Sequence, residues 1–262
     1  MMASVIDKTG FTSQEMVIRG VRVHMLTAGR GSPVVYFHGA GSIGGFDHLL
    51  PLAERHTLYV PAHPGFGASD DDRHIDSILD YVVHYADLFD RLGLTEKVDL
   101  VGHSLGGWMA AMFAVLQGHR LRKLALVSPA GLRVPEHPTL DLFTIPADQL
   151  PPYLVADVKT LGRLLPGGMT NEIKLARYRE TTSLARVAWD RLYDPKLERW
   201  LDRVTVPTLL LWGEQDRCIP AQQAHSWAKR IAKAEVATFP NAGHLLFAES
   251  ADAVQRLKAF LN

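Results

Sequence analysis

The sequence predicts an α/β protein: a mostly parallel sheet flanked by helices, mixed at one edge, with a helical insertion late in the chain. Three observations point there. Short, nearly continuous apolar runs recur along the chain, helix-like patterns separate most of them, and the first two strand-like segments alternate instead. Continuous apolar runs suit strands buried on both faces, whereas alternation suits a half-buried hairpin. Strands and helices taken in turn argue for a layered α/β architecture.

In chain order, EMVIRG and VRVHMLTAG alternate like a hairpin. PVVYFHG, HTLYVPAH, KVDLVGHS, LRKLALVSPAG, PTLLLWGEQD and AEVATFPNAG then read as buried strands. ILDYVVHYADLFDRLG reads as an amphipathic helix. Asp80, His84, Asp87 and Arg91 fall at i, i+4, i+7 and i+11, which predicts one solvated face, and Gly93 is placed to stop the helix.

The alternation breaks between Leu132 and Arg203, where prolines such as Pro135, Pro146, Pro151 and Pro166 mark turns and TNEIKLARYRETTSLARVAW reads as helix. No buried strand is expected there. The expected organisation is a core of residues 1–131 and 204–262 carrying an inserted helical cap, 132–203. Apolar residues including Phe143, Leu150, Tyr153, Leu164 and Trp189 argue against an independent linker.

The chain has 262 residues, of which 47% are hydrophobic and 21% charged, ordinary for a globular protein with a sizeable core. Basic and acidic residues balance at 28 each. That gives no general electrostatic reason for nucleic acid or an anionic membrane as partner, and a small-molecule substrate is expected. The single cysteine, Cys218, excludes an intramolecular disulfide and suits a reducing compartment. The start MMASVIDKTG lacks the pattern of a secretory signal. The longest uncharged apolar run, residues 105–118, falls short of the about 20 residues that span a bilayer. A cytoplasmic location is the expectation.

HGAGSIGG, from His38 to Gly45, follows the apolar run PVVYF, and Gly39, Gly41 and Gly44 fit G-x-G-x-x-G. A dinucleotide turn would have an acidic residue ending the next strand, about 20 residues on. That strand ends in Pro61, Ala62 and His63, so the nucleotide reading is rejected and no cofactor is expected. The twelve histidines show no H-E-x-x-H spacing, and one cysteine cannot build a cysteine-based zinc cluster, so no metal site is expected.

The chemistry is carried by Gly102-His103-Ser104-Leu105-Gly106, a G-x-S-x-G set between a strand-like run and an apolar helix-like one. Such a turn lifts a serine hydroxyl above the sheet edge, beside a helix N-terminus that favours developing negative charge. A serine needs a base to take its proton. His225 lies inside the helix-like AQQAHSWAKRIAKA and reads as an ordinary helix residue. His244 lies in the loop PNAGH after a strand, where parallel sheets place working groups, and is the candidate base. A third group must hold the imidazole tautomer. Asp216, just past the strand TLLLWG, is the candidate, with Glu214 as the alternative.

HGAG after a strand, HPGFGASD, GHSLGG, WGEQDRCIP and NAGH occur in the order found in the α/β-hydrolase fold superfamily, and the chain resembles a member of it over everything outside the inserted lobe. The resemblance implies an eight-stranded, mostly parallel sheet with a cap inserted after the sixth strand. It implies Ser104 as nucleophile, Asp216 as acid and His244 as base. HGAG resembles the family's oxyanion loop, with the N–H groups of Leu105 and Ala40 as donors and Gly41 as the alternative to Ala40. The implied activity is serine hydrolysis of a small to medium apolar carboxylic ester through an acyl-enzyme.

Phe143, Tyr153 and Trp189 are expected to contact substrate; Trp108 is a further candidate there, with core packing the favoured reading for it. HPGFGASD shapes the pocket or is a plain surface turn, and Asp70, Asp71 and Asp72 are expected to be solvated. Carbon–carbon bond hydrolases of ring-cleavage products resemble this chain too, but often carry Asn before the nucleophile and Pro-Gly in the oxyanion loop. Here those places hold His103 and Ser42-Ile43. Perhydrolases, lactonases and acyltransferases use similar triads, and some members of the fold act as ligand-binding receptors. The nucleophile position holds Ser rather than the Asp of epoxide hydrolases and haloalkane dehalogenases.

Overall fold

Eight strands form one sheet in the computed structural model, which describes residues 10–41, 45–146 and 148–262. They are β1 (Thr12–Ile18), β2 (Val21–Ala28), β3 (Ser32–Phe37), β4 (His56–Pro61), β5 (Val98–His103), β6 (Leu121–Val127), β7 (Thr208–Gly213) and β8 (Ala234–Phe239). The order across the sheet is β1-β2-β4-β3-β5-β6-β7-β8. β1 and β2 pair antiparallel, as do β2 and β4, and every pairing from β4 to β8 is parallel. Ser42 and Ile43, which bear on the oxyanion loop, lie outside the described residues.

The central strands are apolar throughout because side chains of both parities are buried. On β3, Val35 and Phe37 enter one core while Val34 and Tyr36 enter the other. On β7, Leu210 and Trp212 face the first core, and Leu209 and Leu211 the second. The first core is closed by α1 (Ile78–Arg91) and α2 (Leu105–Gln117), with Tyr81, Tyr85 and Met109 inside it. The second is closed by a 3-10 helix, Asp47–Glu54, and by the last helix of the chain, which supply Leu49, Leu52 and Leu257. Strand period and two covering layers thus account for the continuous apolar runs.

α1 starts at a capping box, in which Ser77 and Asp80 satisfy each other's backbone N–H groups. It ends where Gly93 takes a φ of 67° and the Leu94 N–H reaches back to the Phe89 carbonyl at 3.0 Å. Its wet face differs from the expected one: His84 is buried, while Leu79 and Val83 are exposed. The β1–β2 hairpin is the cause. Its turn residue Arg19 pairs with Asp87, which lays the hairpin along the helix face that periodicity alone assigns to solvent.

Between β6 and β7 the described chain forms no strand longer than an isolated bridge. It forms α3 (Pro151–Leu154), α4 (Lys159–Leu164), α5 (Asn171–Ala188) and α6 (Pro195–Trp200). α5, capped by Thr170, runs against the loop that carries HPGFGASD. Glu180 Oε1 accepts from the Gly67 N–H at 3.2 Å, Ser183 Oγ donates to the Gly65 carbonyl at 3.3 Å, and Arg186 pairs with Asp71 at 2.8 Å. The acidic run is therefore not simply solvated: Arg186 holds the Asp71 carboxyl below its ordinary range, and Asp70 pairs with Arg22 at 2.7 Å. After β7 come α7 (Gln223–Ala228), α8 (Leu246–Glu249) and α9 (Ala251–Leu261). No helix among the described residues is long and apolar enough to cross a membrane.

Candidate active site

All the candidate groups lie past carboxyl ends of parallel strands: Ala40 after β3, Ser104 after β5, Asp216 after β7 and His244 after β8. Ser104 sits in the turn between β5 and α2 with φ 53° and ψ −116°, a conformation that side-chain-bearing residues rarely adopt. The surroundings over-determine it. The Ser104 N–H donates to the Val127 carbonyl at 2.9 Å, and the Ser104 carbonyl accepts from Trp108 at 3.0 Å and Ala130 at 3.1 Å. Gly106 permits the turn to approach β3, because a Cβ there would drive into the Phe37 and His38 carbonyl oxygens. α2 is thus pressed against the strand that feeds the HGAG loop.

His244 bridges the other two candidates. Its Nε2 lies 2.9 Å from Ser104 Oγ and its Nδ1 2.8 Å from Asp216 Oδ2. With Asp216 ionised, Nδ1 carries the proton and Nε2 is left to accept from the serine hydroxyl. The Asp216 side chain is fully buried, and its Oδ1 accepts from the N–H groups of Cys218 and Ile219, both at 2.8 Å. Each carboxylate oxygen therefore has its own task. Glu214, the alternative acid, is exposed and accepts from Thr238 Oγ1 at 2.8 Å, away from the imidazole. His225 is exposed on α7.

Beneath the HGAG loop lies a buried histidine pair. His38 and His63 stack with ring centroids 3.6 Å apart. His38 Nδ1 donates to the Gly39 carbonyl at 2.6 Å and its Nε2 accepts from the His63 N–H at 3.1 Å. His63 Nε2 donates to the His38 carbonyl at 2.8 Å, and Tyr85 donates to His63 Nδ1. These partners assign a neutral tautomer to each ring. Burial agrees: it pulls His38 down to about 4 and His63 well below its ordinary value. His103, the residue before Ser104, donates from Nε2 to the His244 carbonyl at 2.9 Å. Burial, with His244 beside it, keeps that ring neutral as well.

From α5, Arg177 Nη1 donates to the Ala40 carbonyl at 3.1 Å and pairs with buried Glu180 at 3.3 Å. Sequence patterning did not single out His38, Arg177, Glu180 or Glu249, the last of which binds the backbone before His244. The HG pair was the one available signal for His38; the others sit in polar stretches where only tertiary contact gives them a role.

The four aromatics considered for substrate contact occupy different settings. Trp108 is buried in the first core with its ring against Gly131, so the core-packing reading describes its packing. Phe143 and Trp189 lie against each other at 5.0 Å between ring centroids, with Trp189 67% exposed. Tyr153, on α3, is half-buried, and its carbonyl accepts from the Cys218 thiol at 3.2 Å. Asp216, Cys218 and His244 place potential ligand atoms within 4.8 Å of one another. Burial, with Asp216 adding to it, pushes the Cys218 thiol far above its ordinary range, and the other two are committed to each other, so the set is poorly suited to a metal.

With this geometry in place, comparison with known proteins is informative. The chain is 30% identical over 86% of its length to a 2-hydroxy-6-oxo-6-(2'-aminophenyl)hexa-2,4-dienoic acid hydrolase of Metapseudomonas resinovorans, covering 82% of that protein. It is 27% identical over 86% to a 2-hydroxy-6-oxo-2,4-heptadienoate hydrolase of Pseudomonas putida, covering 87% of it. Among solved structures, a bacterial membrane phospholipase A superposes with a TM-score of 0.85 over 96% of this chain and 86% of its own, at 21% identity, a likeness of fold. The model of the alpha/beta hydrolase family matches residues 34–257, a span that runs from β3 into α9 and holds every candidate group described above. Sheet order, sequence match and the serine turn after β5 agree, and the chain belongs to the alpha/beta hydrolase family.

Proposed function

We propose that this protein is a serine hydrolase that cleaves a carboxylic ester through an acyl-enzyme, with Ser104 as nucleophile, His244 as base and Asp216 as its orienting acid. The observation that carries the reading is the continuous bond line from Asp216 Oδ2 through His244 to Ser104 Oγ, at 2.8 and 2.9 Å. His244 Nε2 takes the Ser104 proton as Oγ attacks the ester carbonyl. The tetrahedral intermediate collapses with cleavage of the acyl C–O bond, and the same Nε2 returns the proton to the leaving alkoxide. Water then repeats the sequence: His244 accepts its proton, hydroxide attacks the acyl carbon, and Ser104 leaves reprotonated with release of the acid.

The oxyanion would be held by the Leu105 N–H, at the start of α2 where no intrahelical acceptor exists, and by the Ala40 N–H. In a trans peptide the carbonyl and the N–H point opposite ways. His38 holds the Gly39 carbonyl inward, which turns the Ala40 N–H outward. Arg177 on α5 holds the Ala40 carbonyl, which turns the Gly41 N–H away from that helix. These two contacts favour Ala40 over Gly41.

Carbon–carbon bond cleavage is the second reading, favoured by the names of the two relatives above. It needs a proton delivered to carbon before the nucleophile acts. The His244 imidazole could perform that transfer as well as the ester's, so the choice between the two readings rests on substrate turnover. The residues of the helical insertion would shape the acyl or alcohol side, with a preference for apolar substrates.

The test is turnover of p-nitrophenyl esters from acetate to laurate beside 2-hydroxy-6-oxo-6-phenylhexa-2,4-dienoate, wild type against Ser104→Ala. Ester turnover lost in the variant supports the first reading. Turnover of the dienoate alone replaces it with the second.

A further inference from the structure

The loop that carries His244 is bound to the helical insertion by one carboxylate. Glu249 closes α8, five residues after His244. Its Oε2 accepts from the Gly243 N–H at 2.6 Å, immediately before the candidate base. Its Oε1 accepts from the N–H groups of Ala156 at 2.9 Å and Asp157 at 3.0 Å, past the end of α3, and Oε2 also takes Ala156 at 3.1 Å. Three backbone donors from two distant segments thus converge on one side chain.

A second contact runs beside it: the Leu245 N–H donates to the Leu154 carbonyl at 2.9 Å. The two backbones lie so close that a Cβ on Gly243 would stand 2.8 Å from both the Ala156 nitrogen and the Val155 carbonyl carbon. On its far side, the His244 carbonyl is held by His103. The peptide after His244 is therefore fixed at its carbonyl by His103 and at its N–H by Leu154, and the peptide between Ala242 and Gly243, one residue further back, is fixed by Glu249.

We propose that Glu249 is a positioning residue: it locks segment 155–157 of the insertion to the His244 loop, so that the imidazole meets Ser104 in register only while the insertion is seated. The proposal rests on the serine-hydrolase reading for its effect on rate. The clamp itself is a matter of backbone contacts. An ionised carboxylate is suited to the task because both oxygens only accept. Glutamine has the same shape, yet turns an NH₂ group toward N–H donors at one of the two positions. Alanine removes both acceptors. A base displaced by a fraction of an ångström costs rate steeply, up to about 10²-fold for 1 Å.

The experiment compares wild type, Glu249→Gln and Glu249→Ala in the full chain. It reads the rate and stoichiometry of Ser104 labelling by a fluorophosphonate, kcat and KM on the best p-nitrophenyl ester, amide hydrogen exchange, and the unfolding midpoint. The expected result is labelling that still reaches one per chain but runs about 10- to 100-fold slower. kcat should fall in step, KM should stay within about twofold, and exchange at Gly243, Ala156 and Asp157 should rise together. The glutamine variant should lie between wild type and alanine, and it serves alone if the alanine chain does not fold.

Unchanged labelling rates would overturn the proposal, as would a loss that falling stoichiometry explains completely, the mark of a merely structural residue. A wild type that is not labelled at Ser104 would instead sink the serine-hydrolase reading. Hydrogen exchange then decides the clamp: a joint rise at the three amides upholds it, and no rise overturns it.

Discussion

His38 Nδ1 donates to the Gly39 carbonyl at 2.6 Å, and the same peptide unit carries the Ala40 N–H at its other end. A side chain that is 1% exposed therefore sets the direction of a backbone donor in the candidate site. Its own Nε2 is occupied by the His63 N–H, so ring flipping would break two bonds at once.

Replacement of His38 by alanine frees that peptide. The expected outcome is a kcat reduced by about 10²-fold, the usual loss for one oxyanion donor. The His38→Asn variant can still present an amide N–H to the Gly39 carbonyl and should retain more activity than His38→Ala. Steady-state kinetics normalised by active-site titration separates this effect from loss of folded protein. Equal activity in wild type and His38→Ala would show that the Ala40 N–H holds no oxyanion.

Asp216→Asn should be severe for a reason specific to this site. Oδ1 accepts from both Cys218 and Ile219, so an asparagine keeps its oxygen there and must turn its NH₂ toward His244 Nδ1. The imidazole then protonates on Nε2, the wrong nitrogen for accepting the serine proton. A kcat loss of about 10⁴-fold is expected, with little change in KM. A loss under tenfold in ester hydrolysis would remove Asp216 from the proposed mechanism.

Gly106→Ala tests how tightly α2 is seated. The added Cβ would drive into the carbonyl oxygens of Phe37 and His38, which are rigid parts of the sheet edge. Destabilisation of about 3 kcal/mol is expected, from overpacking against backbone that cannot rotate away. Urea unfolding followed by tryptophan fluorescence measures it, and a shift below about 0.5 kcal/mol would contradict the close approach.

Stability should fall in mild acid. Burial lowers His38 and His84 to about 4 and pulls His63 well down too, each below the unfolded value of about 6.5. Between those values the unfolded chain binds more protons than the native one, so these groups make stability rise with pH from about 4 to about 6.5 and level off above it. Each contributes a slope of up to about 1.4 kcal/mol per pH unit in that window. Unfolding free energies at pH 7.5 and pH 5 check the sign. His84→Gln, which removes one titrating group, should flatten the dependence.

Much of this protein is legible without coordinates. The apolar runs from PVVYF to AEVATF are strands because a central parallel strand is buried on both faces, and the eight-stranded sheet has each of them. Turn chemistry is also local, so Gly93 marks the end of α1 correctly. The patterning failed on His84, since periodicity reports two sides of a helix but not which of them another element will cover. It was also silent on the ion pair of exposed Asp71, whose partner Arg186 lies 115 residues away.

By itself the sequence determined the strand content, the family and the candidates Ser104 and His244, because these depend on local composition and on short motifs. Only the tertiary structure decided that Asp216, rather than Glu214, reaches His244, that His38 turns the Ala40 peptide, and that Glu249 gathers amides from two segments. Those outcomes hang on hydrogen bonds between residues far apart in the chain. Such bonds form only after the sheet order has brought the ends of β3, β5, β7 and β8 to one edge, and no local pattern encodes them.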